Sequence, residues 1–178
     1  MRYKPARGYT LIELIISIGL FAVVMTLAAG AYLIIIGINR ETQGIASGID
    51  NVSFALETMT RTIRTSTNYG CPIAGTDCTA GSTFSVVNGS GQTVSYTLSG
   101  GIITQTTNGV TIPLTDASIS ITSLLFYTTG VQSYTQSGDT QQARVTIVVS
   151  GTVFGGSTTK TALPFSVETG ATMRGSDI

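Results

Sequence analysis

Arg2-Tyr3-Lys4-Pro5-Ala6-Arg7-Gly8-Tyr9-Thr10-Leu11-Ile12-Glu13-Leu14 opens onto a run of 25 residues, Leu14 to Ile38, without a single Asp, Glu, Lys or Arg. As a helix rising roughly 1.5 Å per residue, that run is about 38 Å long, against a bilayer hydrocarbon core of about 30 Å. It is long enough to span. The three cations ahead of it, Arg2, Lys4 and Arg7, put the start of the chain on the cytoplasmic side and everything beyond Ile38 outside.

Such a run is read in two ordinary ways, as a cleaved secretory signal or as an uncleaved anchor. Leu27-Ala28-Ala29-Gly30-Ala31 has the small residues of a signal cleavage site. The apolar character does not end there, because Tyr32-Leu33-Ile34-Ile35-Ile36 carries it on for more than a helical turn. A secretory core of about 7 to 15 residues has no need of that extension.

A third reading comes from Gly8-Tyr9-Thr10-Leu11-Ile12-Glu13-Leu14, with its basic leader before and its apolar run behind. This stretch resembles the N terminus of type IV prepilins, a family of pilins and of secretion and competence pseudopilins. The resemblance implies cleavage between Gly8 and Tyr9 by a membrane prepilin peptidase, N-methylation of Tyr9 by the same peptidase/methyltransferase, and a mature chain of 170 residues. Tyr9 stands where phenylalanine is usual. The resemblance also implies that the Glu13 carboxylate pairs with the new amine of a neighbouring subunit in a filament core. Independently of family, an ionisable side chain at the edge of a spanning helix is costly and is a functional candidate by default. Gly30 lies where many major pilins carry a helix-loosening proline.

Beyond Asn39-Arg40-Glu41 the apolar residues Ile45, Ile49, Val52, Leu56, Met59 and Ile63 recur at spacings of four and three. That is one stripe of an amphipathic helix, expected to pack on a following sheet and to end between Thr65 and Asn68, before Gly70-Cys71-Pro72. Glu57 and Arg61 form an i,i+4 pair on its solvated side. From Ser82 onward the chain turns to Thr, Ser and Gly. Val94, Tyr96 and Leu98 alternate, as do Val110, Ile112 and Leu114, with Asn88-Gly89, Gly100-Gly101 and Asn108-Gly109 at the joints. A meander of about four short antiparallel strands is expected there. Longer strands are expected at Ile119 to Tyr127, Arg144 to Val153 and Leu163 to Val167, the last two joined at Gly155-Gly156. Thr128 to Gln142 reads as an exposed loop and a place to look for a binding surface.

The composition narrows the function classes. There are 178 residues with 9 Lys+Arg against 9 Asp+Glu, and only 10% of the chain is charged. The mean hydropathy is +0.35. Without a histidine, a Ser-His-Asp triad or a Cys-His dyad cannot be assembled from this chain. Asp116, Asp139 and Glu168 are scattered and read as surface carboxylates, so no enzyme is expected, and neither a metal nor a cofactor. The charge balance gives no footprint for nucleic acid. Cys71 and Cys78 read as a structural disulfide in an exported compartment, with two free thiols or a metal site as alternatives.

The expected architecture is therefore α+β and pilin-like, a long N-terminal helix packed on a C-terminal antiparallel β-sheet. Residues 1–8 are the leader, 9–38 the transmembrane and filament-core helix, 39–68 the amphipathic exported helix and 69–178 the extracytoplasmic β domain. Phe165-Ser166-Val167-Glu168-Thr169-Gly170-Ala171-Thr172-Met173-Arg174 resembles the closing strand of W-type minor pilins and J-type minor pseudopilins. The family resemblance implies a structural, minor subunit of a type IV pilus or type II secretion pseudopilus. Its partners would be other pilin or pseudopilin subunits, the peptidase and the inner-membrane assembly platform. It would sit in the cytoplasmic membrane and then in a filament. The competing reading is an anchored or secreted β-rich binding domain that never polymerises.

Overall fold

The structure is a computed structural model that describes residues 8–132, 138, 140–155 and 162–174. Its first element is one unbroken helix, α1 (Leu11–Arg64), of 54 residues. The helix passes through Gly19, Gly30 and Gly37 without interruption, and none of these glycines has an atom of another element within reach of a would-be Cβ. α1 stops at Arg64, slightly earlier than expected. Thr65 and Ser66 turn their N–H groups back to the Thr62 and Ile63 carbonyls, and Asn68 adopts a positive φ of 55° that a helix cannot continue.

Among the described residues nine antiparallel strands follow, in two sheets where one was expected. The five-stranded sheet has the order β1-β3-β4-β5-β6, from β1 (Thr67–Gly70), β3 (Thr83–Val87), β4 (Thr93–Ser99), β5 (Ile102–Thr107) and β6 (Val110–Pro113). The four-stranded sheet runs β2-β7-β8-β9, from β2 (Cys78–Gly81), β7 (Ile119–Thr129), β8 (Arg144–Phe154) and β9 (Ala162–Thr172). β3 to β6 are the expected meander, and two of its three joints take positive φ where expected, at Gly100, Gly101, Asn108 and Gly109; in the turn at Asn88-Gly89 the positive φ falls on Gly91 instead. The two four-residue strands β1 and β2, within and beside the Gly70–Pro72 break, are additions. Thr67-Asn68-Tyr69-Gly70 and Cys78-Thr79-Ala80-Gly81 carry no apolar alternation to announce them.

β7 explains why a simple alternation misreads this region. Ile119 and Ile121 face the core, the register slips between Ile121 and Ser123, and Leu124, Phe126 and Thr128 face it afterwards. The extra residue of this bulge switches the inward set from odd to even positions. Opposite the bulge sits Gly151 of β8. A Cβ there would lie 2.5 Å from the Ser120 carbonyl oxygen, so only glycine lets the strands close.

The core is sandwiched between the lower helix and both sheets. Met59 and Ile63 of α1, Phe84, Val94, Tyr96 and Ile103 of one sheet, and Phe126, Val145, Ile147 and Val149 of the other are fully or almost fully buried. Phe84 stacks on Phe126 across the two sheets with ring centroids 5.1 Å apart, and Tyr69 meets Phe84 edge-on at 5.7 Å. The Tyr69 hydroxyl donates to the Ile63 carbonyl at 2.6 Å, which ties β1 to the last turn of the helix.

The stripe of α1 is shifted by one position at its upper end. Val52, Leu56, Met59 and Ile63 are buried as expected, joined by Ala55, but Ile49 is 52% exposed and Gly48 takes its place against the sheet. A Cβ on Gly48 would sit 2.4 Å from Val153 Cγ1 and 3.1 Å from Ile119 Cγ2. The helix approaches the strands too closely there for a side chain.

Cys71 and Cys78 are disulfide-bonded, with Cα atoms 5.9 Å apart. The bridge joins the residue after β1 to the first residue of β2, and so couples the edges of the two sheets. Both sulfurs lie against the Phe126 carbonyl, and a Cβ on Gly81 would collide with Cys71 Sγ. Asp77 closes the next loop by accepting hydrogen bonds from the N–H groups of Gly130 and Val131, at 3.3 and 3.0 Å. The loop expected at Thr128 to Gln142 consequently starts later. Thr128 and Thr129 belong to β7, and Thr128 is buried with its hydroxyl accepting from Cys78 N–H at 2.9 Å. Residues 133–137 and 139 of that expected binding loop lie outside the described residues, as does Gly156 of the expected joint.

Candidate processing and assembly site

The segment from Gly8 to Glu13 is built by a helix cap. Thr10 is extended (φ −83°, ψ 153°), and its Oγ1 accepts a hydrogen bond from the Glu13 N–H at 3.3 Å. Leu14 N–H donates to the Thr10 carbonyl at 3.2 Å. The hydroxyl thus satisfies one of the N–H groups that every helix start leaves without a partner. Thr10-Leu11-Ile12-Glu13 has the Ser/Thr-x-x-Glu spacing of a capping box. A reading based on charge and hydropathy passes over Thr10, although the spacing was there to find it.

The cap divides the segment into two parts. Gly8 and Tyr9 stand outside the helix and are exposed, Tyr9 to 86%, and nothing lies within 4 Å of a would-be Gly8 Cβ. The peptide bond between them is open to an approaching enzyme. Glu13 is the third residue of the helix, near the positive end of its dipole, where a carboxylate is stabilised. The side chain is exposed, and the ion pair found among the described residues is elsewhere, Arg61 to Glu57 at 2.8 Å.

Behind the cap, α1 offers the chemistry of a lipid-facing helix. Along Leu11 to Ile35 every side chain is exposed, including Ile12 at 63%, Leu20 at 67% and Leu33 at 69%. A contiguous apolar surface of that size marks a membrane or protein contact. Its two side-chain hydroxyls of the Ser/Thr type are satisfied within the helix, Ser17 Oγ donating to the Glu13 carbonyl at 2.7 Å and Thr26 Oγ1 to the Ala22 carbonyl at 2.8 Å. That matters in hydrocarbon, where no water is present to replace a missing bond. Among the described residues this is the one helix long and apolar enough to cross a membrane. Arg2, Lys4 and Arg7 of the basic leader lie outside the described residues.

The remaining candidate side chains do not converge. Asp116 accepts from Ser118 N–H at 2.8 Å and from the Ser118 hydroxyl, and these bonds hold its carboxyl below the usual carboxylate range. Its own N–H donates to Asn51 Oδ1 at 3.2 Å, so the turn it shapes is fastened to α1. Glu168 is exposed on β9, and Asp139 lies outside the described residues. Among the described residues no three His, Cys, Asp or Glu side chains gather as a metal site would require.

A family model described as the prokaryotic N-terminal methylation motif matches residues 3–29. It spans Lys4 and Arg7, the Gly8-Tyr9 bond, the Thr10 cap, Glu13 and most of the apolar run. No curated protein and no solved structure matches the chain. The motif and the long helix on an antiparallel β domain agree in kind.

Proposed function

We propose that this type IV pilin-like protein is a structural filament subunit whose prepilin is cut between Gly8 and Tyr9, N-methylated at Tyr9, and assembled through α1. The observation that carries the reading is the methylation motif lying on a capped helix whose first half buries nothing and whose second half is built into a domain core. Residues 1–8 are the leader, 9–38 the helix that moves from membrane to filament core, 39–68 the exported helix and its exit, and 69–178 the extracytoplasmic domain. The chain crosses the cytoplasmic membrane once, with its C terminus outside, and then enters a pilus or a type II secretion pseudopilus. Glu13 is the assembly residue: among apolar helices its carboxylate needs a counter-charge, and the new amine of a neighbouring subunit supplies one.

We further assign it a minor role. Both cysteines directly follow the helix, the last hundred residues contain none, and the closing segment is the β9 strand that runs from Ala162 to Thr172. Its partners are other pilin or pseudopilin subunits, the prepilin peptidase/methyltransferase and the assembly platform. Mass spectrometry of the N terminus tests the reading. A chain beginning at methylated Tyr9 supports it. A chain beginning near Ala31 makes this a secreted domain, and one beginning at Met1 a plain anchor; either would overturn it.

A further inference from the structure

We propose that the C-terminal end of α1 carries an oxyanion-binding pocket, built by Arg61, Arg64 and Arg174, that takes a carboxylate or phosphate group. The pocket has a volume of about 250 Å³ and is lined by Glu57, Thr60, Arg61, Arg64, Thr65 and Arg174. A water molecule claims about 30 Å³, so a hydrated oxyanion fits. Three of the five cationic side chains among the described residues meet here, on a chain with only 10% charged residues. The one carboxylate in the lining, Glu57, is engaged by Arg61 at 2.8 Å. Two guanidinium groups are left facing the cavity without an ion-pair partner among the described residues.

Offsetting the helix dipole accounts for Arg61 and Arg64, which lie in the last turn. It does not account for Arg174, which arrives from the far end of the sequence. That residue is fixed in place by two contacts: its N–H donates to the Arg64 carbonyl at 3.0 Å, and the preceding Met173 carbonyl accepts from Gln142 Nε2. With Arg61 already paired to Glu57, an oxyanion between Arg64 and Arg174 would offset the two remaining like charges, and arginine forks suit planar or tetrahedral oxyanions. The pocket stands independently of the filament reading; only the source of its natural ligand rests on it.

The test uses the full chain in detergent micelles, titrated with inorganic phosphate at constant ionic strength while the arginine Nε–H signals are followed by NMR. Arg64 and Arg174 should shift together and saturably, and Arg174→Gln should weaken binding about tenfold or more, as loss of a charged hydrogen bond does. Arg40→Gln, which removes a cation outside the pocket, should leave the curve unchanged. No saturable shift, or equal weakening by Arg40→Gln, would overturn the site. So would duplex DNA binding that both variants reduce alike, since that describes a diffuse cationic surface. Two outcomes in cells separate the sources, and both support the pocket. Depletion of Arg174→Glu from sheared filaments, with normal cutting after Gly8, assigns the anion to a neighbouring subunit's carboxylate. Wild-type incorporation with lost phosphate binding assigns it to a free anion. Absence of the unaltered chain from filaments would instead count against the filament reading alone.

Discussion

The two halves of α1 share one backbone and almost nothing else. From Leu11 to Ile35 every side chain is exposed and nearly all are apolar; from Gly48 to Ile63 a single stripe is buried and, Ile49 and Phe54 apart, the exposed remainder is polar or charged. A helix needs its backbone bonds in either environment, so the same geometry serves both, and the side chains alone decide which solvent each half requires. Among the described residues nothing packs against the upper half. The lower half is finished by the two sheets.

The sharpest way to break that contrast is to keep the upper half from maturing. Gly8→Val places a branched side chain where the backbone is bare and a peptidase must approach. It should leave the uncut chain in the membrane while the exported domain folds normally. An immunoblot showing wild-type maturation would remove the processing role. Next in size, Glu13→Ala should still be cut, because cutting precedes assembly, yet fall about tenfold or more in sheared filaments relative to the membrane pool, as removal of one partner of a buried charge pair costs several kcal/mol. Equal incorporation would take the assembly role from Glu13.

The lower half should respond in stability instead. Met59 is fully buried, and Met59→Ala should cost about 2 to 5 kcal/mol in the unfolding of the full chain in micelles. Ile34→Ala, made at a position that is 65% exposed, should cost the domain nothing measurable. If the two variants melted alike, the halves would not be energetically separate. Removing the Cys71–Cys78 bridge by Cys→Ser at both positions should cost about 2 to 3 kcal/mol, the loop-closure value for so short a ring. Hydrogen exchange should accelerate at the β1 and β2 edges, where the two sheets are coupled, and not in α1.

The smallest effect is a dependence on alkaline pH. Tyr96 is completely buried, and burial raises its hydroxyl pKa above the ordinary value of 10. The nearby Thr62 hydroxyl opposes the shift weakly, since it already donates to the Thr58 carbonyl and the Tyr96 oxygen finds no partner within hydrogen-bond distance. A raised folded pKa means that stability is whole below pH 10 and declines as pH rises toward the folded value. Tyr96→Phe should therefore unfold at nearly the same temperature at pH 7 and lose less stability between pH 9 and 11. A steeper loss in the variant would contradict the assignment.

Most of α1 was legible in its residues, because periodicity and charge are local properties. The apolar run from Leu14 to Ile38, the four-strand meander with its Gly100-Gly101 and Asn108-Gly109 joints, and the Glu57–Arg61 pair all follow from spacings a few residues long. Ile49 was misplaced for the opposite reason. The stripe pattern counts an isoleucine as inward wherever the period allows, but the position next to it, Gly48, is inward because Val153 and Ile119 come within touching distance. The bulge in β7 was equally hidden. Leu124-Leu125 fits either phase of an alternation, and the choice is made by Gly151 on the neighbouring strand.

The sequence by itself determined that the chain carries an N-terminal methylation motif, continues as a helix first suited to lipid and then to a core, and goes on into antiparallel strands. Those facts need only composition, spacing and the motif at residues 3–29. Tertiary structure alone decided that the strands divide into two sheets, that the disulfide couples their edges, and that Arg174 comes to rest beside Arg61 and Arg64. Each of these joins residues on different elements, the arginines more than a hundred positions apart. Whether they meet is set by packing and by backbone hydrogen bonds such as that of Arg174 to Arg64, which no local pattern encodes.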